Sequence, residues 1–141
     1  METTNKGKVK LVVDCALFCN DEVLLVKYSD TNKYDHQSGW FIPDDLVTHG
    51  EHPEDEAVRI LKEQLGFDTG ELTLGFIESF TGGDRSWHLV FHYKKTLDSK
   101  PDLAQSSDIA EMEWFNVNNL PDKNDIAHHG WARYTILELS K

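Results

Sequence analysis

The chain has 141 residues, 39% of them hydrophobic, which is enough for one packed core and short for two. We therefore predict a single domain over residues 1–141. The net charge of −11 and the sequence pI of about 4.9 argue against binding to duplex DNA or RNA, whose phosphates attract lysine and arginine. A small anionic ligand is still compatible with this charge, through local donors or a divalent cation. We expect no nucleic-acid polymer as a partner.

Neither a membrane span nor a signal peptide is apparent. No apolar stretch approaches the ~20 residues that cross a bilayer, and the N-terminal METTNKGKVK has no apolar block. Cys15 and Cys19 lie four residues apart in one apolar run, where a strand would place them on the same face but too far apart to bridge. We expect two reduced core cysteines, a cytoplasmic protein and no membrane partner.

The first part of the chain predicts three strands. VKLVVDCALFC and EVLLVKYS are β-branched and aliphatic runs separated by the turn pair Asn20-Asp21, which indicates a β-hairpin. Residues 30–38 are polar and turn-forming. WFIP then predicts a short strand that ends at a proline, followed by a tight loop.

The segment from Pro53 to Leu65 has helical periodicity. Proline suits the first position of this helix, and Gly66 suits its exit. One apolar stripe contains Ala57, Val58, Leu61 and Leu65. We predict that Val58, Leu61 and Leu65 are buried and that Glu63 faces a cleft.

The second half predicts three strands and a closing helix. ELTLGFIESF and SWHLVFHYKKTL are strands joined by a turn at residues 81–85, DLAQSSD is a loop, and EMEWFNV is a strand. A helix is predicted from Asp125 to Leu139, with Ile126, Ala127, Tyr134 and Leu137 on its apolar side. Because strands flank two helices without repeats, the predicted class is α+β, or a mixed-sheet sandwich.

The segment around the first helix resembles the Nudix box, G-x5-E-x7-R-E-U-x-E-E-x-G-U, in which U is aliphatic. The chain matches this pattern at Glu51, Arg59, Leu61, Glu63, Gly66 and Phe67. It departs at the first glycine and at two helix glutamates, which are replaced by Asp45, Ile60 and Gln64.

The surroundings of the box extend the resemblance to roughly the whole chain. Trp40 and Pro43 stand where family members usually have an aromatic residue and a proline, and EMEWFNVNNLP resembles the closing strand of the family. The resemblance implies a Nudix-type α/β/α sandwich with a mixed central sheet.

The resemblance also implies a hydrolase that cleaves a nucleoside diphosphate linked to another group, such as a nucleotide sugar, with Mg²⁺ or Mn²⁺. In the family, glutamates at i, i+3 and i+4 on one helix face supply carboxylates to the cation. Here the triplet is Ile60, Glu63 and Gln64, so two of three charges are lost. We expect a weakly bound ion and impaired turnover, and we expect Gln64→Glu, with or without Ile60→Glu, to strengthen metal binding.

Four residues are candidate metal ligands under this resemblance: Glu63, Glu56, Gln64 and, through its backbone carbonyl, Asp44. Glu56 projects between Ile60 and Glu63, one turn earlier on the helix, and would replace a lost acid. Alternatively, it belongs to an acidic first turn of the kind that any helix favours. The Asp44 and Asp45 side chains have the same two interpretations, an added ligand or a turn cap.

Glu63, Arg59 and His128 are the candidate catalytic residues. In the family the arginine orients the glutamates, although Arg59 would form an ordinary ion pair with Glu63 at i+4 equally well. IAHHGWARY is similar to a stretch of the GDP-mannose mannosyl hydrolase branch, in which a histidine six residues before a tyrosine is the general base. His128 occupies that position here, and its alternative role is a polar residue at the start of a helix. His88 and His92 are expected to be ordinary strand residues.

Trp87, Phe80 and Tyr34 are candidate substrate contacts, because they border the substrate cleft of the family; each is equally a candidate core residue. Two functions stay open: a metal-dependent hydrolase, and a non-catalytic module that binds a nucleotide derivative after losing turnover. A third is a fold that serves a protein partner alone. The expected partner is a small nucleotide derivative, and a homodimer is a further prediction.

Overall fold

The computed structural model of the protein describes residues 8–31, 37–82 and 85–141. The elements in chain order are β1 (Val9–Cys19), β2 (Glu22–Tyr28), β3 (Asp44–Leu46), α1 (Pro53–Leu65), β4 (Thr73–Thr81), β5 (Trp87–Leu97), β6 (Ile109–Asn116), a 3-10 turn (Lys123–Asp125) and α2 (Ala127–Leu139). This composition is the predicted α+β class. Neither described helix is long and apolar enough to cross a membrane.

The strands form one mixed sheet in the order β4-β5-β1-β2-β6, with β3 against β1. β1 and β5 run parallel, and the other neighbours are antiparallel. The predicted hairpin is confirmed, since β1 and β2 turn at Asn20-Asp21 and pair over the two residue pairs next to that turn. Farther from the turn, residues 41–46 lie between the two strands: Phe41 bridges to Val26 of β2, and β3 pairs with β1.

Each face of the sheet carries one helix. Side chains alternate along β1, so Val13, Cys15 and Leu17 pack with α1, whereas Ala16 and Phe18 pack with α2 on the opposite face. The two hydrophobic clusters therefore lie on opposite sides of the sheet. This layering confirms the α/β/α sandwich.

Helix α1 begins and ends where the sequence predicts. His52 caps it by accepting a hydrogen bond from the Glu54 backbone N–H, and Gly66 ends it with a left-handed φ of 64°. Three members of the predicted stripe are fully buried: Ala57, Leu61 and Leu65. Val58 is only half-buried, because it lies at the margin of the cluster on the α1 face.

The closing helix differs from the prediction in its buried face. His128, His129 and Gly130 have φ values of 56°, 58° and 90°, so the regular helix resumes only after this left-handed turn. The interruption shifts the helical phase, and Tyr134 and Leu137, which were predicted on the apolar side, are 54% and 50% exposed. The buried face of the regular part contains Ala132, Thr135, Ile136 and Leu139.

The strand predicted at WFIP is displaced along the chain. Trp40 and Phe41 form isolated bridges, and the strand that follows is β3, in a segment that the sequence predicts to be a loop. Backbone groups of β1 are available where β2 diverges, and residues 44–46 pair with them. Asp44 lies directly opposite Asp14 of β1 as a result.

Both cysteines are free, buried thiols, as predicted. Burial raises the pKa of the Cys15 thiol, and the nearby Asp14 carboxylate raises it further. A protonated, inaccessible thiol is a packing residue rather than a reactive one.

Candidate functional site

Arg59 on α1 joins the two acids predicted for the metal site. Its Nε donates to Glu56 at 2.7 Å, and its Nη1 donates to both carboxylate oxygens of Glu63 at 3.1 and 3.2 Å. Asp45 lies 3.7 Å from Nη2. Burial, the largest single influence, lowers the pKa of Arg59, but the hydrogen bonds and charges of Glu56 and Glu63 outweigh it and raise the pKa. Arg59 therefore neutralises Glu63, an acid that remains from the box, together with Glu56.

Glu56 ties the loop before α1 to the helix. It is only 3% exposed, and it accepts hydrogen bonds from the Thr48 backbone N–H at 2.6 Å and from Arg59. Burial, the largest influence, raises the pKa of this carboxyl, but the bonds from Arg59 and Thr48 together lower it below its usual value. Glu56 is thus an ionised group with protein partners, whereas Glu63 is largely exposed beside Arg59.

The side chains at the two other positions of the triplet, Ile60 and Gln64, point into the protein. Ile60 is 1% exposed and belongs to the hydrophobic cluster on the α1 face. Gln64 is 3% exposed; its side-chain oxygen accepts from the Tyr28 hydroxyl at 2.9 Å, and its nitrogen donates to the Asp44 carbonyl at 3.0 Å. The Tyr28 hydroxyl in turn accepts from the Asp44 backbone N–H at 2.9 Å. We call these three residues the Tyr28–Gln64–Asp44 network.

A magnesium ion does not fit this set of donors. Mg²⁺ requires oxygens about 2.0–2.1 Å away in octahedral array, preferably carboxylates. Gln64 is neutral and already bonded to the Asp44 carbonyl, Ile60 offers no ligand, and the two acids bind Arg59. Within residues 8–31, 37–82 and 85–141, no three His, Cys, Asp or Glu side chains are arranged to hold a metal ion.

Tyr28 is the member of this site that the sequence does not predict. It lies 36 residues before Gln64, at the end of β2. In the sequence it is one aromatic residue at the end of an apolar run, and only the pairing of β2 in the sheet brings its hydroxyl to α1.

A cleft lies on the α2 side of the sheet, where β1, β3 and the start of α2 meet. It encloses about 280 Å³, part of it open to solvent. Aromatic rings and two aspartates dominate its lining, which includes Asp14, Trp40, Phe41, Asp44, His128 and Trp131. The cleft therefore combines flat apolar surfaces with hydrogen-bond acceptors.

His128 lines this cleft and is half-buried. Its backbone N–H donates to the side-chain oxygen of Gln37 at 2.9 Å, and its ring lies edge-on to Phe41 and Trp131 at 5.9 and 6.0 Å between centroids. The neighbouring His129 is exposed. The structure thus brings His128 and Asp44 to one cleft, while a role as general base stays a prediction.

The three candidate substrate aromatics do not share one surface. Phe80 stacks on His88 at 4.7 Å and meets the edge of Trp131 at 5.4 Å, so it lies beside the cleft. Trp87 precedes His88 in β5, and successive strand residues face opposite sides, so Trp87 is on the α1 face, away from the cleft. Tyr34 lies outside the described residues.

Trp131 and a buried ionic group beneath it are further features that the sequence does not predict. His92 is fully buried between Asp14 and Glu78, and Glu78 also bonds the Trp131 indole. The even spacing of His88 and His92 places both on one strand face, but it does not identify the acids, which come from two other strands.

Comparison with known families identifies the chain. The family model described as NUDIX domain matches residues 8–136. Among curated proteins, the m7GpppN-mRNA hydrolase dcap-2 of Caenorhabditis elegans is 29% identical over 109 residues, which cover 74% of this chain. The chain spans only 13% of the length of that protein.

Solved structures share the fold. The C. elegans Ap4A hydrolase binary complex has a TM-score of 0.72 and 18% identity, with 94% of this chain and 96% of that chain covered. The NUDIX domain of Shewanella oneidensis NrtR, complexed with ADP ribose, has a TM-score of 0.71 and 20% identity, with 96% and 90% covered. These TM-scores establish a common fold, and the family model spans nearly all described residues. The chain belongs to the NUDIX domain family.

Proposed function

We propose that this chain binds a nucleoside diphosphate linked to another group, and that binding rather than rapid hydrolysis is its function. The observation that carries the proposal is the Tyr28–Gln64–Asp44 network, which holds the neutral Gln64 amide in hydrogen bonds at a position where the family pattern has a carboxylate. A domain of this family that keeps its cleft but lacks two of the three helix acids is expected to retain recognition without efficient catalysis.

The chemistry of the cleft supports a nucleotide ligand. Trp131 and His128, both half-buried in the lining, offer ring surfaces to a planar base. The cleft is open to solvent, so a flat ring system can lie against its aromatic lining while the diphosphate stays at its mouth. There the N-terminal end of the regular part of α2 favours negative charge. The ADP ribose held by the related NrtR domain is a ligand of this kind.

Hydrolysis is the second candidate function, and the position of His128 in the same cleft favours it. This candidate requires Mg²⁺ or Mn²⁺, bound weakly through Glu63, Glu56, Gln64 and the Asp44 carbonyl. Arg59 and Gln64 would have to exchange their present partners to admit the ion. Arg59 would then orient Glu63, and His128 would accept a proton from water.

A ligand panel separates the two candidates. ADP-ribose, Ap4A and nucleoside diphosphate sugars are each tested for thermal stabilisation and for product formation, with Mg²⁺, with Mn²⁺ and with a chelator. We expect stabilisation in chelator without product. Trp131→Ala should abolish the stabilisation, whereas Trp87→Ala, on the opposite face of the sheet, should retain it. Product formed only with metal would establish the hydrolase, and no stabilisation by any ligand would refute nucleotide binding.

For the hydrolase candidate, His128→Ala is expected to lower turnover by about 10²–10⁴-fold with little change in substrate affinity, because a general base acts mainly in the transition state. Steady-state kinetics with the most active panel substrate measure this. His129→Ala is the matched control, since His129 is exposed, and it should be nearly silent. Activity that survives His128→Ala would assign the base to another group, such as Glu56 or Glu63.

Restoring a metal site is expected to require Tyr28 as well as Gln64. In Gln64→Glu the new carboxylate still meets the Tyr28 hydroxyl, which also bonds Asp44. We expect Tyr28→Phe combined with Gln64→Glu to bind Mn²⁺ about 10-fold more tightly than Gln64→Glu alone, as measured by calorimetry, because the carboxylate then gives up no hydrogen bond, worth about 1.4 kcal/mol, to the ion. Tyr28→Phe by itself supplies no charge and should show no gain. Equal affinity of the single Gln64→Glu variant and the double variant would contradict the blocking role of Tyr28.

Three sequence predictions remain proposals for this chain: one domain over residues 1–141, a cytoplasmic location and a homodimer. Sedimentation of the purified chain tests the last of these, with a monomer as the contradicting result.

A further inference from the structure

A fully buried histidine connects three strands beneath the cleft. His92 of β5 has 0% exposure. Its Nδ1 lies 2.8 and 2.9 Å from the two carboxylate oxygens of Asp14 in β1, and its Nε2 lies 2.9 Å from Glu78 in β4. We call Asp14, His92 and Glu78 the buried triad.

The geometry fixes the number of protons in the triad. Each contact between a ring nitrogen and a carboxylate needs one hydrogen, and a neutral imidazole has a single N–H. Two protons are therefore shared, and we assign them to an imidazolium between two carboxylates, which leaves the triad with one net negative charge. Because both nitrogens are occupied and no surface is exposed, His92 is unsuited to proton transfer with a ligand. The triad is a structural ionic group that the proposed binding does not use directly.

The triad reaches the cleft through Trp131. The second oxygen of Glu78 accepts a hydrogen bond from the Trp131 indole Nε1–H at 3.3 Å. The indole also lies edge-on to the His92 ring at 5.7 Å and to Phe80 at 5.4 Å. Trp131 is half-buried and lines the cleft together with Asp14.

The backbone next to Trp131 does little to fix the orientation of its side chain. It follows directly after the left-handed turn of residues 128–130, so it has no complete helical turn before it. The hydrogen bond from its indole to Glu78 is the directional contact that selects one orientation of the ring, since ring packing alone is weakly directional.

We propose that the buried triad is a positioning device that holds the Trp131 indole as a fixed wall of the cleft. The expected effect on affinity rests on the proposed nucleotide binding. If the Trp131 indole is already ordered in the free protein, ligand binding loses no side-chain entropy by ordering it. His92 binds one oxygen of Glu78 through Nε2, and the other oxygen of Glu78 accepts the hydrogen bond from the indole. Asp14, on the other side of the imidazole, compensates the charge of His92. Loss of the Glu78 contact is expected to weaken ligand binding about 3–10-fold, the usual effect of immobilising one large side chain.

Glu78→Ala and Glu78→Gln test the positioning role. Glutamine keeps an acceptor oxygen for the indole, whereas alanine removes it. The readout is the NMR signal of the Trp131 indole Nε1–H, assigned by its loss in Trp131→Phe. We expect this signal to shift and broaden in Glu78→Ala and to stay near the wild-type position in Glu78→Gln. The dissociation constant of ADP-ribose should likewise rise in Glu78→Ala and stay near the wild-type value in Glu78→Gln.

Glu111→Ala is the matched control, because it removes a strand carboxylate that pairs only with Lys27 at the surface among its described partners. Should Glu78→Ala fail to fold, Glu78→Thr keeps strand preference while reaching neither His92 nor the indole. The NMR measurement needs no ligand. An unmoved indole signal in the Ala or Thr variant overturns the positioning role, whereas a wild-type protein that binds no ligand of the panel overturns the proposed function.

Discussion

Ile60→Glu is expected to lower the free energy of unfolding by ~3–5 kcal/mol instead of building a metal site. The side chain is 1% exposed within the hydrophobic cluster between α1 and the sheet. A carboxylate there has neither water nor a partner cation, so its desolvation is uncompensated. The sequence pattern predicts stronger metal binding from this substitution, because it counts position 60 as a ligand position without regard to burial.

Urea unfolding of Ile60→Glu, with and without Mg²⁺, measures this effect. Ile60→Val is the control for packing, and it should cost about 0.5–1.5 kcal/mol. If Ile60→Glu retained wild-type stability and bound Mg²⁺ more tightly, position 60 would face an ion site and would not belong to the hydrophobic cluster.

His92→Leu is expected to destabilise the fold by a comparable amount, ~3–5 kcal/mol near pH 6, because Asp14 and Glu78 lose their shared cation. Leucine fills the space of the imidazole without its charge. Two carboxylates then remain next to each other in a site where His92 itself has no exposed surface.

The same group makes stability depend on pH. Burial, the largest influence, lowers the pKa of His92, but its hydrogen bonds and charge interactions with Asp14 and Glu78 raise it above the reference value of 6.5. The folded state then retains a proton that the unfolded state releases, so the contribution of His92 is complete below pH 6.5 and is lost as pH rises through the higher folded pKa.

Urea unfolding across this pH window should therefore show a stability difference between wild type and His92→Leu that shrinks as pH rises. His49→Leu, which alters an exposed histidine, should track the wild type at every pH. A difference that grows with pH would mean that His92 is neutral in the folded protein.

Local sequence rules predict much of the fold. The periodicity of residues 53–65, with Pro53 at one end and Gly66 at the other, defines α1 to the residue. The Asn20-Asp21 pair places the hairpin turn, and the family pattern supplies the sandwich. The helix and the hairpin depend on neighbours in sequence, which is why they are predictable, whereas the α/β/α sandwich is implied by the family resemblance.

The features that determine the site depend on distant residues. The left-handed turn at His128 and His129 is unusual for residues other than glycine, and the sequence does not mark it. It changes the buried face of α2 and brings His128 into the cleft. The hydroxyl of Tyr28 and the acids around His92 reach their partners only through sheet pairing, which the sequence pattern does not specify.

This NUDIX domain is expected to bind a nucleotide derivative without depending on a divalent ion. The decisive measurement is calorimetric titration of the wild-type chain with ADP-ribose, first in chelator and then in excess Mg²⁺, with the ligand recovered and analysed after each titration. We predict the same dissociation constant in both conditions and intact ADP-ribose at the end. Binding that appears only with Mg²⁺, accompanied by cleavage of the diphosphate, would contradict metal-independent binding.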